Sequence, residues 1–531
     1  MENMHQEKQM VTVKEASKWA MGFLQKEISE SNISYLIQYG KIRKHNIDGS
    51  MLIKLDDLKQ YYQSYNGKRE VFWKEKLGDD LNWALSFDNL REKDTTKHVH
   101  RLHPYKGKFI PQLVEYFIDS HTDNFKKDVY FKKSDVILDP FSGSGTTLVQ
   151  ANELGIHSIG VDVSQFNCMI TEVKLLDYDL KSLAEEVRKI TEAVTNCEAD
   201  NKISVFEKEL VSKLLEFNNK YFPSPEFKYN VYKGKVNEDE YSIEKEREFL
   251  LIYKNLIKKH GVELNQNKGE LFLDKWYIKS IRGEIDFAFD LIRKIKNTRN
   301  KKAIAVILSR TIRSCRATTH SDLATLKEPQ LTTYYCCKHK KICKLLFSIK
   351  EWFNRYAIDT VYRLKLFSQL RSSAHYIVLP SDSMTVDIFS EIKKRKADFY
   401  DILSKQKISG IFTSPPYVGQ IDYHEQHAYA YDLFGFERKD DLEIGPLFKG
   451  QGIDARNSYV EGISKVLLNC KEYLAGNYNV FIVANDKYDL YPKIADKIGM
   501  KIVNRFKRPV LNRTERDKAP YSETIFHLRG E

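Results

Sequence analysis

The sequence predicts an α/β protein with a Rossmann-like, doubly wound sheet, a large and mainly helical insert, and a small N-terminal unit. Three observations predict this fold class. An apolar strand at 136–138 runs into a glycine-rich turn and a helix at 148–154. A second strand at 158–162 ends in a carboxylate, as in dinucleotide-binding folds. From 165 to 371 the pattern changes to long helices, and strands resume at 375.

The glycine-rich turn has the composition of a loop that approaches a nucleotide. Gly143 and Gly145 permit a tight turn and leave space for a ligand close to the backbone. The lysine of a phosphate-binding loop is missing, because Thr146 and Thr147 stand where Gly-Lys-Ser/Thr would be needed. Asp162, at the end of the next strand, occupies the position where an acidic side chain meets ribose hydroxyls in dinucleotide folds.

A second motif follows the short apolar strand at 408–412. Pro415 and Pro416 fix φ and remove two backbone donors, so the strand must end here with unpaired carbonyls. The hydroxyl of Ser414 beside a rigid carbonyl suits an amino group, which donates two hydrogen bonds. Tyr417 offers a flat face on which a base could stack. An ordinary turn at the end of a strand could contain the same residues. The functional interpretation of this motif therefore depends on the glycine-rich turn found upstream.

Together these motifs resemble those of S-adenosylmethionine-dependent DNA methyltransferases that act on exocyclic amino groups. Residues 139–145 match the family's cofactor loop, residues 413–417 match its catalytic motif, and segment 103–111 is similar to the motif that precedes the loop. The resemblance implies a seven-stranded methyltransferase sheet, with the catalytic domain at 99–164 and 372–531. It also implies S-adenosyl-L-methionine as cofactor, contacted by the following residues: His103, Lys108, Asp139, Pro140, Phe141, Gly143, Gly145, Thr146, Asp162 and Asp382.

The resemblance implies the reaction as well. The catalytic residues are Ser414, Pro415, Pro416 and Tyr417, and the target base must leave the duplex to reach them. In the family, Ser-Pro-Pro-Tyr leans towards the amino group (N4) of cytosine, so we predict cytosine. A neutral serine can both accept and donate, so adenine N6 stays open, and an RNA substrate is a further alternative. A separate cognate restriction endonuclease is the partner that such enzymes accompany.

Bulk composition limits the class of protein. The chain has 531 residues, enough for two or three domains, and a formal net charge of +12. Its pI near 9.0 favours a polyanionic partner, which here is double-stranded DNA. No apolar run is long enough to span a membrane, and the first residues are polar, so no signal peptide is expected. Seven cysteines do not make a disulfide scaffold, which favours the cytoplasm, and we expect a monomer.

The N-terminal unit, residues 1–65, resembles the winged helix-turn-helix of excisionase-like DNA-binding domains. Two helical patterns precede a hairpin across Asp48-Gly49, a strong turn pair, and a third helix follows. Lys41, Arg43 and Lys44 would face phosphates. A helical cap that only packs on the enzyme is the alternative. Residues 66–98 have no clean periodicity and are interpreted as a connector.

The insert, residues 165–371, far exceeds the dozen residues that a parallel crossover needs, which indicates a separate domain. Its middle is basic, and the predicted DNA-binding residues there are Arg293, Lys294, Lys301 and Lys302. A run of charges is usually a solvated face, so a plain scaffold is the alternative to target recognition. The insert precedes Asp382 instead of directly preceding Ser414, which departs from the family's arrangement of loop, recognition region and catalytic motif.

A cluster of thiols in the insert suggests zinc at first sight. Cys336, Cys337, His339 and Cys343 lie close together in sequence, whereas Cys315 is distant. Their spacing fits neither paired Cys-x-x-Cys knuckles nor a Cys/His finger. We therefore interpret this segment as structural and predict no metal.

Overall fold

The computed structural model describes most of the chain, with short gaps between the described ranges. These ranges are 10–24, 28–38, 40–47, 50–65, 68–88, 90, 92–197, 201–266, 269–320, 328–511 and 519–530. Within them, no helix combines the length and the apolar character that crossing a membrane would require.

The described part of the N-terminal unit forms three strands and three helices: β1 (Met10–Thr12), α1 (Val13–Leu24), α2 (Glu30–Gln38), β2 (Lys44–Ile47), β3 (Ser50–Lys54) and α3 (Leu55–Tyr65). Strand β3 lies between β1 and β2 and runs antiparallel to both. The unit has a small apolar core of its own, in which Ile33, Ile53 and Leu58 are buried. The predicted hairpin strands therefore pair, while the turn at 48–49 lies outside the described residues. Assignment of this unit as a winged helix-turn-helix stays a prediction.

The connector and the first part of the sheet follow in chain order. Their helices and strands are α4 (Lys68–Leu77), α5 (Glu92–Thr95), α6 (Pro111–Ile118), β4 (Val136–Asp139), α7 (Thr146–Glu153), β5 (His157–Asp162) and α8 (Gln165–Leu175), with 3-10 turns at Trp83–Ser86 and His98–Arg101. Pro111 begins α6, where its missing N–H costs nothing. The backbone N–H of Asn82 donates to the carbonyl of Lys507 at 2.8 Å, so the connector is fastened to the far edge of the sheet.

The insert is mainly helical, as predicted. Its elements are α9 (Leu180–Asn196), α10 (Asn201–Tyr221), α11 (Glu226–Tyr232), α12 (Glu238–His260), α13 (Phe272–Trp276), α14 (Lys279–Arg293), α15 (Thr298–Ser314), β6 (Tyr334–Cys336), β7 (Lys341–Cys343) and α16 (Lys350–Ser368). Strands β6 and β7 form an antiparallel hairpin. The insert, whose first helix is α8, shares one continuous apolar core with α7, so it packs directly against the catalytic half.

The sheet resumes after the insert. The remaining elements are β8 (Tyr376–Pro380), α17 (Ile388–Arg395), α18 (Ala397–Gln406), β9 (Ile408–Thr413), α19 (Tyr423–Gln426), α20 (Ala428–Phe434), α21 (Ile453–Lys471), β10 (Leu474–Ala484), α22 (Tyr491–Ile498), β11 (Met500–Pro509) and β12 (Ser522–Gly530), with 3-10 turns at Asp440–Leu442 and Leu447–Lys449. Strands β11 and β12 pair antiparallel at one edge of the sheet.

These strands form one seven-stranded sheet in the order β11-β12-β10-β9-β4-β5-β8. All pairs are parallel except those of β12, which runs against both neighbours. Side chains alternate between two apolar layers: Ile137 and Phe412 point into one, Leu138 and Ile411 into the other. The strand order reverses between β4 and β9, and in open α/β sheets ligands bind at the carboxyl ends of strands at such a point.

Candidate active site

The two sequence motifs meet at the carboxyl ends of β4 and β9. The strands are direct neighbours, with Leu138 opposite Ile411. At their tips, the Thr413 hydroxyl donates a hydrogen bond of 2.6 Å to the carboxylate of Asp139. The glycine turn and the proline-stiffened tip therefore lie side by side on one edge of the sheet.

A cavity that is partly open to solvent lies in front of this edge. Ten of the residues predicted from sequence line it: Lys108, Asp139, Pro140, Phe141, Gly143, Thr146, Asp162, Asp382, Ser414 and Pro416. Residues from both motifs thus face one common cavity, at the edge of the sheet where open α/β folds bind their ligands.

The turn after β4 depends on two glycines with positive φ. Gly143 has φ +48°, and a Cβ atom there would lie 3.0 Å from the Tyr105 hydroxyl. Gly145 has φ +75°, and a Cβ atom would lie only 2.4 Å from the Thr171 side chain. Gly145 is not among the cavity-lining residues, so its part is to let the loop close against α8. Side chains other than hydrogen would strain both positions.

Two carboxylates at strand ends flank the glycine turn. Asp162 accepts hydrogen bonds from the backbone N–H of Gly143 and of Ser164, both at 2.8 Å, and from the amide of Asn167 at 3.1 Å. Burial raises the pKa of Asp162, and these hydrogen bonds oppose that effect. Asp382 accepts from the backbone N–H of Met384 at 2.9 Å. Both carboxylates are therefore held in fixed orientations at the cavity wall.

Two further ionisable groups in the cavity are shifted by burial. Burial raises the pKa of Asp139 to about 6, although the hydrogen bond from Thr413 favours its charged form. Burial, helped by the charge of Arg101, lowers the pKa of Lys108 to about 8. The ammonium group of Lys108 donates to the carbonyl of His100 at 2.6 Å. Shifts of this kind are common in ligand sites, because such sites desolvate charged groups.

The catalytic motif divides its residues between the cavity and the protein interior. Ser414 and Pro416 line the cavity, whereas Pro415 is buried. Tyr417 is not among the lining residues, and its hydroxyl donates to Glu523 on β12 at 2.9 Å. Glu523 lies 3.9 Å from the guanidinium of Arg508. The orientation of Tyr417 is thus set from the neighbouring strand.

His103 differs from the other predicted cofactor residues. It is fully buried and absent from the cavity lining. Its Nδ1 lies 2.9 Å from the carbonyl of Pro104, and its Nε2 lies 3.2 Å from the Tyr429 hydroxyl. Its ring packs edge-on against Phe166. In the structure, His103 therefore holds its segment against α8 and α20, one layer behind the cavity.

Several lining residues were missed by reasoning from sequence: Tyr105, Ser142, Asn167, Tyr423, His424 and Glu443. Tyr105 and Ser142 lie inside segments that the motifs had already marked. Glu443 lies in the irregular stretch after α20, which carries no motif, and it accepts from the backbone N–H of His424 at 2.7 Å. Only the tertiary fold brings it to the cavity.

Unpaired polar atoms test whether the cavity fits a polar ligand. The Ser142 and Ser144 hydroxyls, Asn167 Oδ1 and His424 Nε2 are buried without a hydrogen-bond partner among the described residues. All four residues line the cavity. Buried polar groups are normally hydrogen-bonded, so such a concentration indicates a ligand with matching groups. S-adenosylmethionine, with its hydroxyl, amino and carboxylate groups, fits this demand.

The predicted DNA-binding residues of the N-terminal unit lie against the insert. The ammonium of Lys41 lies 4.8 Å from the ring centre of Tyr232, and the guanidinium of Arg43 lies 5.5 Å from that of Tyr229. Lys44 is half-buried at the start of β2. Cation–π contacts of this kind stabilise the docking of the unit on α11.

The basic segment of the insert is partly exposed. Arg293 and Lys294 lie at the end of α14 with exposed side chains. Lys301 donates to the carbonyl of Arg293 at 2.8 Å, and Lys302 forms an ion pair with Glu172. The charges of Arg293 and Lys294 are therefore more accessible to a ligand than those of Lys301 and Lys302.

A second basic group lies close to the active site. Burial and the charges of Arg313 and Arg316 lower the pKa of Lys106, and burial followed by Arg313 lowers that of His427 to about 3. Lys106 directly follows the lining residue Tyr105. Arg313, near the end of α15, and Arg316, just beyond it, thus lie close enough to Lys106 and His427 to lower their pKa values.

The strand order, the glycine loop and the Ser-Pro-Pro-Tyr tip on one cavity define the class of protein as a DNA methylase. A family model described as DNA methylase matches residues 8–173. The chain is 48% identical over 532 residues to type II methyltransferase M.MjaII of Methanocaldococcus jannaschii, covering 99% of this chain and 98% of that protein. The chain belongs to the S-adenosylmethionine-dependent DNA methyltransferases of restriction-modification systems, and S-adenosylmethionine is its methyl donor.

Two further relatives match shorter segments. Type II methyltransferase M.BsoBI of Geobacillus stearothermophilus is 33% identical over 103 residues, which is 19% of each chain. Type II methyltransferase M.MvaI of Kocuria varians is 33% identical over 109 residues, 20% of this chain and 22% of that protein.

Proposed function

We propose that the protein methylates the exocyclic amino nitrogen (N4) of cytosine at a specific site in duplex DNA. The observation that carries this proposal is the position of Ser414. Ser414 directly follows β9, which is paired with β4, and it lines the same cavity as the glycine loop. An amino group held there would lie next to the bound cofactor, and holding the reactants together supplies much of the rate acceleration.

Different residues of the cavity would bind different parts of the cofactor. In this proposal the glycine loop leaves space for the nucleoside, Asp162 binds the ribose hydroxyls and Asp382 accepts from the adenine amino group. Lys108 would pair with the carboxylate at the methionine end of the cofactor. Bound there, S-adenosylmethionine supplies the methyl group as an electrophilic sulfonium.

Ser414 prepares the amino nitrogen of the base. This nitrogen is a weak nucleophile, because its lone pair is delocalised into the ring. Hydrogen bonds from its two N–H groups to the Ser414 hydroxyl and to the adjacent backbone carbonyl would draw the nitrogen towards tetrahedral geometry. The same acceptors stabilise the positive charge that develops on the nitrogen during transfer. Tyr417 does not line the cavity, and its hydrogen bond to Glu523 fixes the strand tip that carries Ser414.

The base must leave the duplex to reach this cavity, since its amino group is otherwise paired. Phosphate contacts on both sides of the flipped nucleotide would hold the strand open. Arg313 and Lys106, which are both partly exposed, suit that task, and Arg293 and Lys294 provide further exposed positive charge on the insert. We propose that the insert reads the target sequence, that the N-terminal unit adds backbone contacts, and that the enzyme works as a monomer apart from a cognate endonuclease.

The proposal is tested by methyl transfer from isotope-labelled S-adenosylmethionine into duplex DNA of mixed sequence, followed by nucleoside mass spectrometry. Labelled N4-methylcytosine is expected from the unaltered protein and none from Ser414→Ala. Labelled N6-methyladenine would overturn the choice of base. Label in transfer RNA but not in DNA would overturn the substrate class.

A further inference from the structure

Four side chains with metal-binding atoms meet at the β6–β7 hairpin of the insert. They are His320, Cys336, His339 and Cys343, and one ligand atom from each lies within 4.8 Å of all the others. None of the four lines the cofactor cavity. Cys336 and Cys343 are buried thiols, while His320 comes from the chain beyond α15, outside the hairpin.

The distances inside this cluster match a tetrahedral ion. Nδ1 of His339 lies 3.5 Å from the sulfur of Cys336 and 3.5 Å from the sulfur of Cys343. Zinc bonds of about 2.3 Å to sulfur and about 2.0 Å to nitrogen, at the tetrahedral angle, separate S from N by about 3.5 Å. A neutral imidazole nitrogen has one lone pair and cannot accept fully from two thiols at once. A cation between the three atoms accounts for both short distances.

Hydrogen bonds orient two of the four side chains as ligands. The Tyr334 hydroxyl lies 2.7 Å from Nδ1 of His320, which leaves Nε2 of that ring for an ion. Metal-binding histidines commonly use their second nitrogen in this way. The backbone N–H of His339 approaches the sulfur of Cys336 at 3.4 Å, an interaction that favours a thiolate.

The hairpin that carries three of these residues is small, with strands of three residues each. An isolated two-stranded hairpin of this size is unstable without added constraints. The Asn218 side chain exchanges two hydrogen bonds of 3.0 Å with the backbone of Ile342, and Glu238 pairs with Lys340. These contacts fasten the hairpin to α10 and α12, while a link to His320 would fasten it to the segment after α15.

We propose that His320, Cys336, His339 and Cys343 bind one zinc ion that has a structural role in the insert. Two thiolates and two imidazoles are the ligands that zinc prefers, and four protein ligands leave no open position for catalysis. This proposal replaces the expectation of no metal. The composition of the segment suggested zinc, but its spacing argued against a site, because the fourth ligand lies sixteen positions before Cys336 and follows none of the usual zinc-binding patterns.

The test is the metal content of the full-length protein, expressed with zinc in the medium and purified without chelators. Inductively coupled plasma mass spectrometry should find about one zinc ion per chain. Cys336→Ser and Cys343→Ser should lower this content at least about five-fold. Cys337→Ser is the matched control, because this neighbouring thiol is exposed and outside the cluster, and it should keep the full content.

A second measurement needs no variant, and so it decides the matter even if the serine variants fail to fold. Cobalt exchanged into the unaltered protein should give the visible bands of tetrahedral coordination and a near-ultraviolet thiolate-to-cobalt band. Only trace zinc in the unaltered protein, equal zinc in Cys336→Ser and Cys337→Ser, or a disulfide between Cys336 and Cys343 in peptide mapping would each overturn the proposal. Absence of the cobalt bands would overturn it as well.

Discussion

The edge of the central sheet and the helical insert assemble their functional groups in different ways. At the sheet edge, each group follows a strand within a short continuous segment, such as Asp139 after β4 and Ser414 after β9. In the insert, groups meet from distant positions, as when Arg310 on α15 pairs with Asp359 on α16 at 2.7 Å. The carboxyl ends of parallel strands lie at one edge of the sheet, however long the chain segments that connect the strands. Side chains on different helices meet only where the packing of those helices brings them together.

This difference predicts a separation of functions. Changes at the sheet edge should affect chemistry or cofactor binding, and changes on the insert should affect DNA binding alone. A change that alters both would show that the two regions are coupled.

The largest effect is expected for Ser414→Ala, which removes an acceptor for the reacting amino group. The rate of methyl transfer should fall at least about 10²-fold, the loss typical of a group that stabilises developing charge. Rapid-quench single-turnover assays with labelled cofactor measure this rate. Titration calorimetry should show that the affinity for the cofactor is nearly unchanged. Ser404→Ala, on the exposed surface of α18, is the control. A near-normal rate would remove Ser414 from the mechanism.

Gly143→Val should act on cofactor binding. Valine is strained at φ +48°, and its Cβ would press on the Tyr105 hydroxyl at 3.0 Å, inside the cavity wall. We expect cofactor affinity to fall about 10²-fold, measured by calorimetry, because both the loop and the cavity shape change. Gly476→Val is matched to it: a Cβ atom at Gly476 has nothing within 4 Å among the described residues. Unchanged affinity in Gly143→Val would contradict the assignment of the loop.

On the insert, replacing Arg293 and Lys294 by glutamine removes two exposed charges. DNA affinity should fall roughly ten-fold, and the slope of log affinity against log salt should become shallower by about two. Cofactor affinity should not change. Replacing Lys393 and Lys394 on α17 by glutamine removes the same charge from an exposed helix of the catalytic half. Equal salt slopes in the two double variants would mean that the insert does not present a DNA surface.

The smallest effect concerns pH. Lys108 loses its proton near pH 8, because burial lowers its pKa to about 8. Its attraction for the carboxylate of the cofactor is present below that pH and lost above it. Cofactor affinity should therefore fall a few-fold, about 1 kcal/mol, between pH 7 and pH 9. Lys108→Met should bind more weakly at pH 7 and lack this part of the pH dependence. A profile identical in both proteins would exclude Lys108 from binding.

The sequence could specify much of the sheet edge because its signals are local. Helix α6, for example, begins at Pro111, because proline suits the first turn of a helix, and an apolar stripe continues to its end at Ile118. The strand ending at Asp162 and the tip at Ser414 also lie where the pattern placed them. Tyr417 and His103 had equally clear motif positions, yet the fold turns the first towards Glu523 and buries the second.

By itself, the sequence determined which strands exist, that a ligand loop follows the first of them, and that a large helical insert separates the two halves. Those features depend on the periodicity of apolar residues and on the positions of glycine and proline, which determine backbone conformation over only a few residues. Only the tertiary structure decided that Glu443 reaches the cavity, that Lys41 and Arg43 lie on tyrosines of α11, and that His320 joins two thiols and an imidazole. Such meetings depend on the packing of segments far apart in the chain, which no local pattern records.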